Sequence, residues 1–159
     1  MTPGGGRRAY EWADSARSAA GARELDGISF FRELMAGRLP PPPIAATVGF
    51  GWVSVEPGKA VFEITPAEYH YNPIGSVHGG VYATLCDSAC GCAVHSLLPA
   101  GAYYTSLDLS VRFIRQITSR TGQMLCEGRW SISAHGPPWP PPGSPTPPGS
   151  CTRRRPAAA

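Results

Sequence analysis

The segment 76–97 constrains the fold more than any other part of this sequence. Most of its residues are small or apolar, which predicts a long helix buried on most of its sides. Its glycines disfavour a helix by about 1 kcal/mol each relative to alanine, so close packing against a sheet or another helix has to compensate. Asp87 is the only charged residue of the segment, and a carboxylate is seldom left in apolar surroundings unless it is paired or used. The alternative is a position facing solvent or bonded to a nearby hydroxyl.

Shorter patterns on both sides of this helix predict the remaining elements. Ile28, Phe31, Leu34 and Met35 follow helical spacing after a capping Asp26. Proline residues 40–43 force an extended connection, and 44–50 adds a helical turn. The runs 52–56 and 60–64 are separated by Pro57-Gly58 and predict a hairpin. Alternating residues over Tyr104–Arg115 predict a strand with one buried face, and a further strand starts at Gln123. The order predicts an α+β fold with the helix packed on an antiparallel sheet.

Composition divides the chain into a tail, one domain and a second tail. Residues 1–26 lack an apolar period and are expected to be disordered. Residues 27–128 form the domain. Residues 1–127 hold ten Lys and Arg against eleven Asp and Glu, so the net charge of +3 comes from four arginines in the tail 129–159. The domain therefore shows no basic surface for nucleic acid.

The predicted localisation depends on two features that the sequence lacks and on its cysteines. It has no apolar run that could cross a membrane and no signal-peptide core, which predicts a cytoplasmic protein without membrane contact. Five cysteines are an odd number, and Cys86, Cys90 and Cys92 crowd one segment, so reduced thiols are expected. Cys86, Cys90, Cys92 and His95 fit no common zinc spacing, and we interpret them as packing residues and expect no metal.

The start of the long helix is a candidate for chemistry. His78 and Gly79 lie where free backbone N–H groups and the helix dipole favour negative charge, as an oxyanion hole requires. The alternative is a plain junction between a turn and a helix. Gly79 and Asp87 are eight residues apart, or about 12 Å along one helix, so they cannot flank the same carbonyl carbon. If both are catalytic, two antiparallel helices of a symmetric dimer must bring them together.

The stretch from Asn72 through His78-Gly79-Gly80, followed by Ala83-Thr84-Leu85 and Asp87, resembles the signature of the PaaI-like thioesterases of the hotdog superfamily. Asn72, His78 and Asp87 match the family's catalytic residues at steps of six and nine, and Thr105 matches a Ser or Thr eighteen residues after the Asp. The resemblance implies a hotdog fold and hydrolysis of acyl-CoA or aryl-CoA at the interface of a homodimer or a dimer of dimers, without metal or cofactor.

The resemblance also implies a role for each matched residue. The Gly79 N–H would polarise the thioester carbonyl, and Asp87 of the partner would act as general base or nucleophile. His78 and Asn72 would shape the site and Thr105 would help to place the water. Among further substrate-binding candidates, Gly80 belongs to the motif, and Arg112 and Arg115 are candidates for the CoA phosphates, although exposed arginines on strands are usually solvated. His70 and Tyr71 stay undecided.

Two other functions stay open at this point. A hotdog acyl-CoA hydratase or dehydratase would need a histidine and a carboxylate placed for proton transfer at the acyl chain. A non-catalytic acyl-CoA-binding module would bind the same ligand without turnover. Release of free thiol from an acyl-CoA distinguishes the thioesterase from both.

The pattern breaks after Gly128. Eight of the fifteen residues 136–150 are proline, which no central strand accommodates. A proline-rich linker is one explanation. Reading the coding sequence in a shifted frame from Arg129 can restore two alternating strands, so we predict that 129–159 is a frameshift product and that the last strands of the domain are missing. Such a chain is expected to have lower stability, weaker dimerisation and reduced or absent activity. Translating the coding DNA in that frame tests the prediction.

Overall fold

The computed structural model describes residues 5–131 and the backbone of residues 150–154. The helices are α1 (Ala16–Glu24), α2 (Gly27–Met35), α3 (Pro43–Val48) and α4 (Gly79–His95). The strands are β1 (Phe50–Glu56), β2 (Lys59–Ile64), β3 (Met124–Arg129) and β4 (Ser150–Arg154), and short 3-10 turns lie at Glu68–His70 and Ser119–Thr121. Most of the tail predicted to be frameshifted, residues 132–149 and 155–159, lies outside the described residues.

The four strands form one antiparallel sheet in the order β1-β2-β3-β4. The predicted hairpin is confirmed: Glu56 pairs with Lys59 across Pro57-Gly58, where Gly58 has a φ of 76° that suits glycine. β1 and β2 are consecutive strands in the chain, whereas β3 follows α4 in the chain and pairs with the other edge of β2. The α+β architecture with an antiparallel sheet around a long central helix is thereby confirmed.

Helix α4 packs on β2 and β3 through its C-terminal half. Ala89 and Ala93 are 0% exposed, as are Ala60 and Phe62 of β2. A Cβ atom on Gly128 of β3 would lie 2.1 Å from the backbone oxygen of Ala89, so the strand approaches the helix as closely as a missing side chain allows. The first turns are more open, since Gly80 and Asp87 are exposed. The expected apolar surroundings of Asp87 are therefore wrong for the single chain.

The predicted strand Tyr104–Arg115 is wrong. These residues form no sheet hydrogen bonds with any described residue, and Leu107, Phe113 and Ile114 are 72%, 63% and 93% exposed. The alternation is present in the sequence, but a strand also needs a neighbouring strand to bond with. Tyr104 and Phe113 instead lie against α4, as described below. We call this stretch the 104–115 segment.

Part of the N-terminal stretch expected to be disordered is helical. Helix α1 occupies Ala16–Glu24 and contacts α2. Gly21 lets it approach Leu39, whose Cδ1 lies 2.7 Å from the position of a Cβ on that glycine, and the hydroxyl of Ser18 donates to the backbone oxygen of Pro40. These contacts with the connection 36–40 stabilise α1 although its sequence has no apolar period.

No helix in the described residues is long and apolar enough to cross a membrane.

His95 ends α4 in an aromatic cluster. Its ring lies 5.2 Å from that of Phe30 and 5.4 Å from that of Phe31, and its Nε2 is buried without a hydrogen-bond partner among the described residues. Burial lowers the pKa of His95 below its ordinary value. The unfolded chain therefore binds a proton that the folded chain resists, and stability is lost as pH falls below about 6.5 towards the lower folded-state pKa.

We expect His95→Phe to raise the free energy of unfolding by about 1 kcal/mol, because it removes an unsatisfied buried group and keeps an aromatic ring. The variant should also lose less stability than the wild type between about pH 7 and about pH 5, where an unperturbed histidine titrates. Urea unfolding at both pH values measures the two effects. An equal loss in both proteins would mean that another group governs the acid sensitivity.

Candidate active site on helix α4

The N-terminus of α4 presents a free backbone donor. His78 is the N-cap residue, with extended backbone angles of φ −60° and ψ 137°, and its Nδ1 accepts the N–H of Gly80 at 2.9 Å. The N–H of Gly79, the first of the helix, donates no hydrogen bond within the described part of the chain. Because the helix dipole also favours negative charge at this end, Gly79 is the donor available to a developing oxyanion.

Asn72 holds the loop that leads into this helix. Its Oδ1 accepts the N–H groups of Ile74 and Ser76, both at 3.1 Å, and its own N–H donates to the oxygen of Ser76 at 2.7 Å. Val77 and His78 then donate backbone hydrogen bonds out of the loop, at 2.9 and 2.8 Å. In the single chain Asn72 therefore positions the loop, and its side-chain oxygen is already engaged.

His70, which sequence reasoning left undecided, links α3 to the start of α4. It is 5% exposed, its Nδ1 accepts the N–H of Ala67 at 3.0 Å, and its Nε2 lies 2.7 Å from the oxygen of Val48. Since Nδ1 accepts, Nε2 carries the proton and donates to Val48. The backbone oxygen of His70 accepts the N–H of His78 at 2.8 Å. The ring of His70 thus contacts the end of α3, and its backbone oxygen contacts the cap of α4.

A cleft of about 440 Å³, here called the Gly80 cleft, opens beside this N-terminus. It lies between the end of α3 and the first turns of α4, and its walls include Val48, Tyr69, Tyr71, His78, Gly80 and Val81. Its size is that of a small-molecule site, with apolar and aromatic walls and a few polar groups. It therefore leaves room for a small organic group next to the start of the helix.

Asp87 lines a second cleft, of about 380 Å³, here called the Asp87 cleft. Its carboxylate is exposed and accepts the hydroxyl of Ser106 at 2.8 Å. The alternative stated above, an exposed carboxylate bonded to a nearby hydroxyl, therefore describes Asp87 in the single chain. Thr105, matched by the resemblance, is also exposed, but its neighbour Ser106 makes this contact. Sequence reasoning missed Ser106 because the family pattern pointed one residue earlier.

The 104–115 segment runs along α4 and reaches both candidate residues. Ser106 bonds Asp87, and the Cζ atom of Phe113 lies 2.9 Å from the position of a Cβ on Gly79. Nearer the end of the helix, the hydroxyl of Tyr104 lies 2.3 Å from a Cβ placed on Gly91. Gly79 and Asp87 nevertheless stay about 12 Å apart along the axis of their helix, so one chain does not bring them together.

The arginines proposed for the CoA phosphates and the cysteines of α4 lie in different surroundings. Arg112 and Arg115 are exposed and line neither cleft. Cys92 packs against the core, and burial, with the nearby charge of Asp87, raises the pKa of its thiol to about 12. That thiol stays protonated at neutral pH, which favours packing over metal binding. Among the described residues, no three His, Cys, Asp or Glu side chains are grouped to hold a metal ion.

Comparison with known proteins identifies the sequence relatives of this site. Residues 74–128 match the model of the Thioesterase superfamily, a range that contains every candidate site residue except Asn72. Acyl-coenzyme A thioesterase 13 of Homo sapiens and of Pongo abelii are each 37% identical to this chain over 62 residues, which is 39% of this chain and 44% of theirs. The chain thus spans less than half the length of these curated relatives.

Solved structures share the fold. A phenylacetic acid degradation-related protein from Ralstonia eutropha JMP134 superimposes with a TM-score of 0.58 at 24% identity, covering 66% of this chain and 80% of that one. The PaaI protein of the E. coli phenylacetic acid degradation operon gives a TM-score of 0.54 at 20% identity, covering 67% and 72%. Over the part of the chain that these comparisons cover, the protein has the hotdog fold, and residues 74–128 are similar to the thioesterase superfamily.

Proposed function

We propose that this chain hydrolyses acyl-CoA or aryl-CoA thioesters to the free acid and CoA. One observation supports this most directly: α4 begins with the free N–H of Gly79 and carries the exposed carboxylate of Asp87 about 12 Å further along. The first group suits an oxyanion and the second a general base or nucleophile. The curated relatives, whose name states the same activity, agree with this proposal.

In the proposed reaction the thioester carbonyl oxygen accepts the N–H of Gly79. A water molecule that gives its proton to Asp87 adds to the carbonyl carbon, or Asp87 itself attacks and water then hydrolyses the anhydride. The C–S bond breaks, and the CoA sulfur leaves and takes up a proton. His78 and Asn72 hold the helix start, Thr105 or its neighbour Ser106 helps to place the water, and Arg112 and Arg115 are available to the CoA phosphates.

We further propose that two copies of the chain build each site. The separation of Gly79 and Asp87 excludes a site within one α4, and both residues lie on the more open part of the helix. Two antiparallel α4 helices in a symmetric dimer would place Gly79 of one copy beside Asp87 of the other, twice. A dimer of dimers would contain the same pairs of Gly79 and Asp87 within each dimer. The crowding of Cys86, Cys90 and Cys92 on one helix, which does not suit a disulfide framework, supports a cytoplasmic setting.

Mixing two impaired variants tests the shared site. Asp87→Asn and Gly79→Pro are each expected to keep at most about 1% of the wild-type activity alone, since each impairs one half of both sites. Equal amounts refolded together should recover about a quarter of the wild-type activity, because half of the dimers are mixed and each mixed dimer has one intact pair. Thiol release from an acyl-CoA is the measurement, and it also distinguishes hydrolysis from hydration. No recovery, with mixed dimers present, would contradict the shared site.

A further inference from the structure

Arg8, far from the motif in sequence, is fixed on the end of α3. Its Nη1 donates to the oxygen of Thr47 and its Nη2 to the oxygen of Ala46, the latter at 2.6 Å. These carbonyls belong to the last turn of the helix, whose oxygens have no partner within the helix itself. The guanidinium also lies 4.3 Å from the ring centre of Tyr69 and 5.0 Å from that of Tyr10. Two hydrogen bonds and two ring faces therefore hold one side chain.

The backbone leaves a space for this guanidinium. Gly49 ends α3 with a φ of 85°, a conformation that other residues rarely adopt, and its N–H donates to Ala45 at 2.7 Å. A Cβ on Gly49 would lie 3.0 Å from Nη2 of Arg8 and 3.3 Å from the hydroxyl of Tyr69. The absence of a side chain at this position thus serves both the end of the helix and the seat of Arg8.

The same arginine lines the Gly80 cleft. Val48, Tyr69 and His78 line it as well. Because Arg8 is anchored to α3 and stacked on Tyr69, its stem and guanidinium form a fixed piece of wall. The cleft would extend into the volume that this side chain occupies if the side chain were shorter.

We propose that Arg8 determines specificity by limiting the length of the acyl or aryl group that the Gly80 cleft accepts; this inference rests on the proposed function. The wall formed by Arg8 favours short acyl and aryl groups. Longer alkyl chains would have to displace the guanidinium from Ala46 and Thr47, losing its hydrogen bonds and its contact with Tyr69. Arg8 touches the acyl group and takes no part in the chemical step.

The test compares Arg8→Ala, Arg8→Met and Arg7→Ala in the full chain. Arg7 is the exposed neighbour, so its replacement changes the charge equally without touching the cleft. Met keeps a long side chain that can stack on Tyr69 but removes the charge. Two probe series are titrated, S-alkyl-CoA thioethers from ethyl to dodecyl and the free alkanoates of the same lengths. Thermal unfolding of each variant is followed in parallel.

Arg8→Ala should improve the affinity for long probes relative to short ones by about tenfold, the gain of burying one or two further methylene groups. Arg8→Met keeps the length of the side chain but loses both hydrogen bonds, so its length profile should lie between those of the wild type and Arg8→Ala, and Arg7→Ala should keep the wild-type profile. The inference is overturned if a folded Arg8→Ala keeps that profile, if Arg7→Ala changes it equally, or if no probe binds. A changed alkanoate profile together with no hydrolysis of any acyl-CoA would uphold the role of Arg8 and reject the proposed hydrolase.

Discussion

Asp87→Asn is expected to lower kcat for acyl-CoA hydrolysis by about 10²- to 10⁴-fold, the range that a positioned general base contributes. The amide cannot take a proton from water and cannot act as a nucleophile, but it keeps an oxygen that can accept the hydroxyl of Ser106. Since Asp87 is exposed, the free energy of unfolding should change by no more than about 0.5 kcal/mol. Thiol release at saturating substrate and urea unfolding measure the two quantities.

The matched control for this substitution is Asp108→Asn. Asp108 lines the same Asp87 cleft and its replacement makes the same change of charge, but it is not part of the proposed chemistry. Its kcat should stay within about threefold of the wild type, as for a surface change with an effect of about 0.5 kcal/mol. Turnover retained in Asp87→Asn, or lost equally in Asp108→Asn, would remove Asp87 from the catalytic role.

Gly79→Pro is expected to lower kcat by about 10²- to 10³-fold, the loss measured elsewhere on deleting one oxyanion-hole donor. Proline removes the one N–H in question, and the first position of a helix is where proline is best tolerated. The preceding residue, His78, already has the extended angles that a following proline requires. The substitution therefore deletes a hydrogen-bond donor while leaving helix α4 in place.

Gly79→Ala distinguishes the loss of the backbone N–H donor from the steric effect of an added side chain. Alanine keeps the N–H but adds the Cβ that would lie 2.9 Å from the ring of Phe113, an exposed side chain that can move. Its kcat should exceed that of Gly79→Pro by at least about tenfold. Circular dichroism checks that both variants keep the helix. Equal losses in the two variants would assign the effect to crowding, and the N–H of Gly79 would then have no special role.

Features that depend on neighbours in sequence could be predicted from the sequence. The cap at Asp26, the hairpin at Pro57-Gly58 and the helix starting near His78 each follow from a few adjacent residues, and all are present. The motif on α4 could be located for the same reason. The roles of its residues stay predictions, because they depend on a substrate and a second copy of the chain.

Features that depend on distant partners could not be predicted. The 104–115 segment alternates like a strand, but a strand forms only beside another, and this segment pairs with no strand of the described sheet. Ser106 and Arg8 show no signal of their own and the role of His70 stays undecided from the sequence, since each acquires its contact from an element far away in the chain. The frameshift near Arg129 also stays a prediction. The family match ends at Gly128, the residue before it.

The placement of Gly79 and Asp87 on one continuous helix has a consequence for how such a protein can diversify. The rigid rise of α4 sets their spacing, and inserting or deleting a residue between them would rotate the carboxylate by about 100°. The start of α4 forms one wall of the Gly80 cleft, and its other walls come from α3, the N-terminal stretch and the loop around Tyr69. In the proposed enzyme, changes in these peripheral segments would therefore alter the acyl preference while Gly79 and Asp87 keep their spacing.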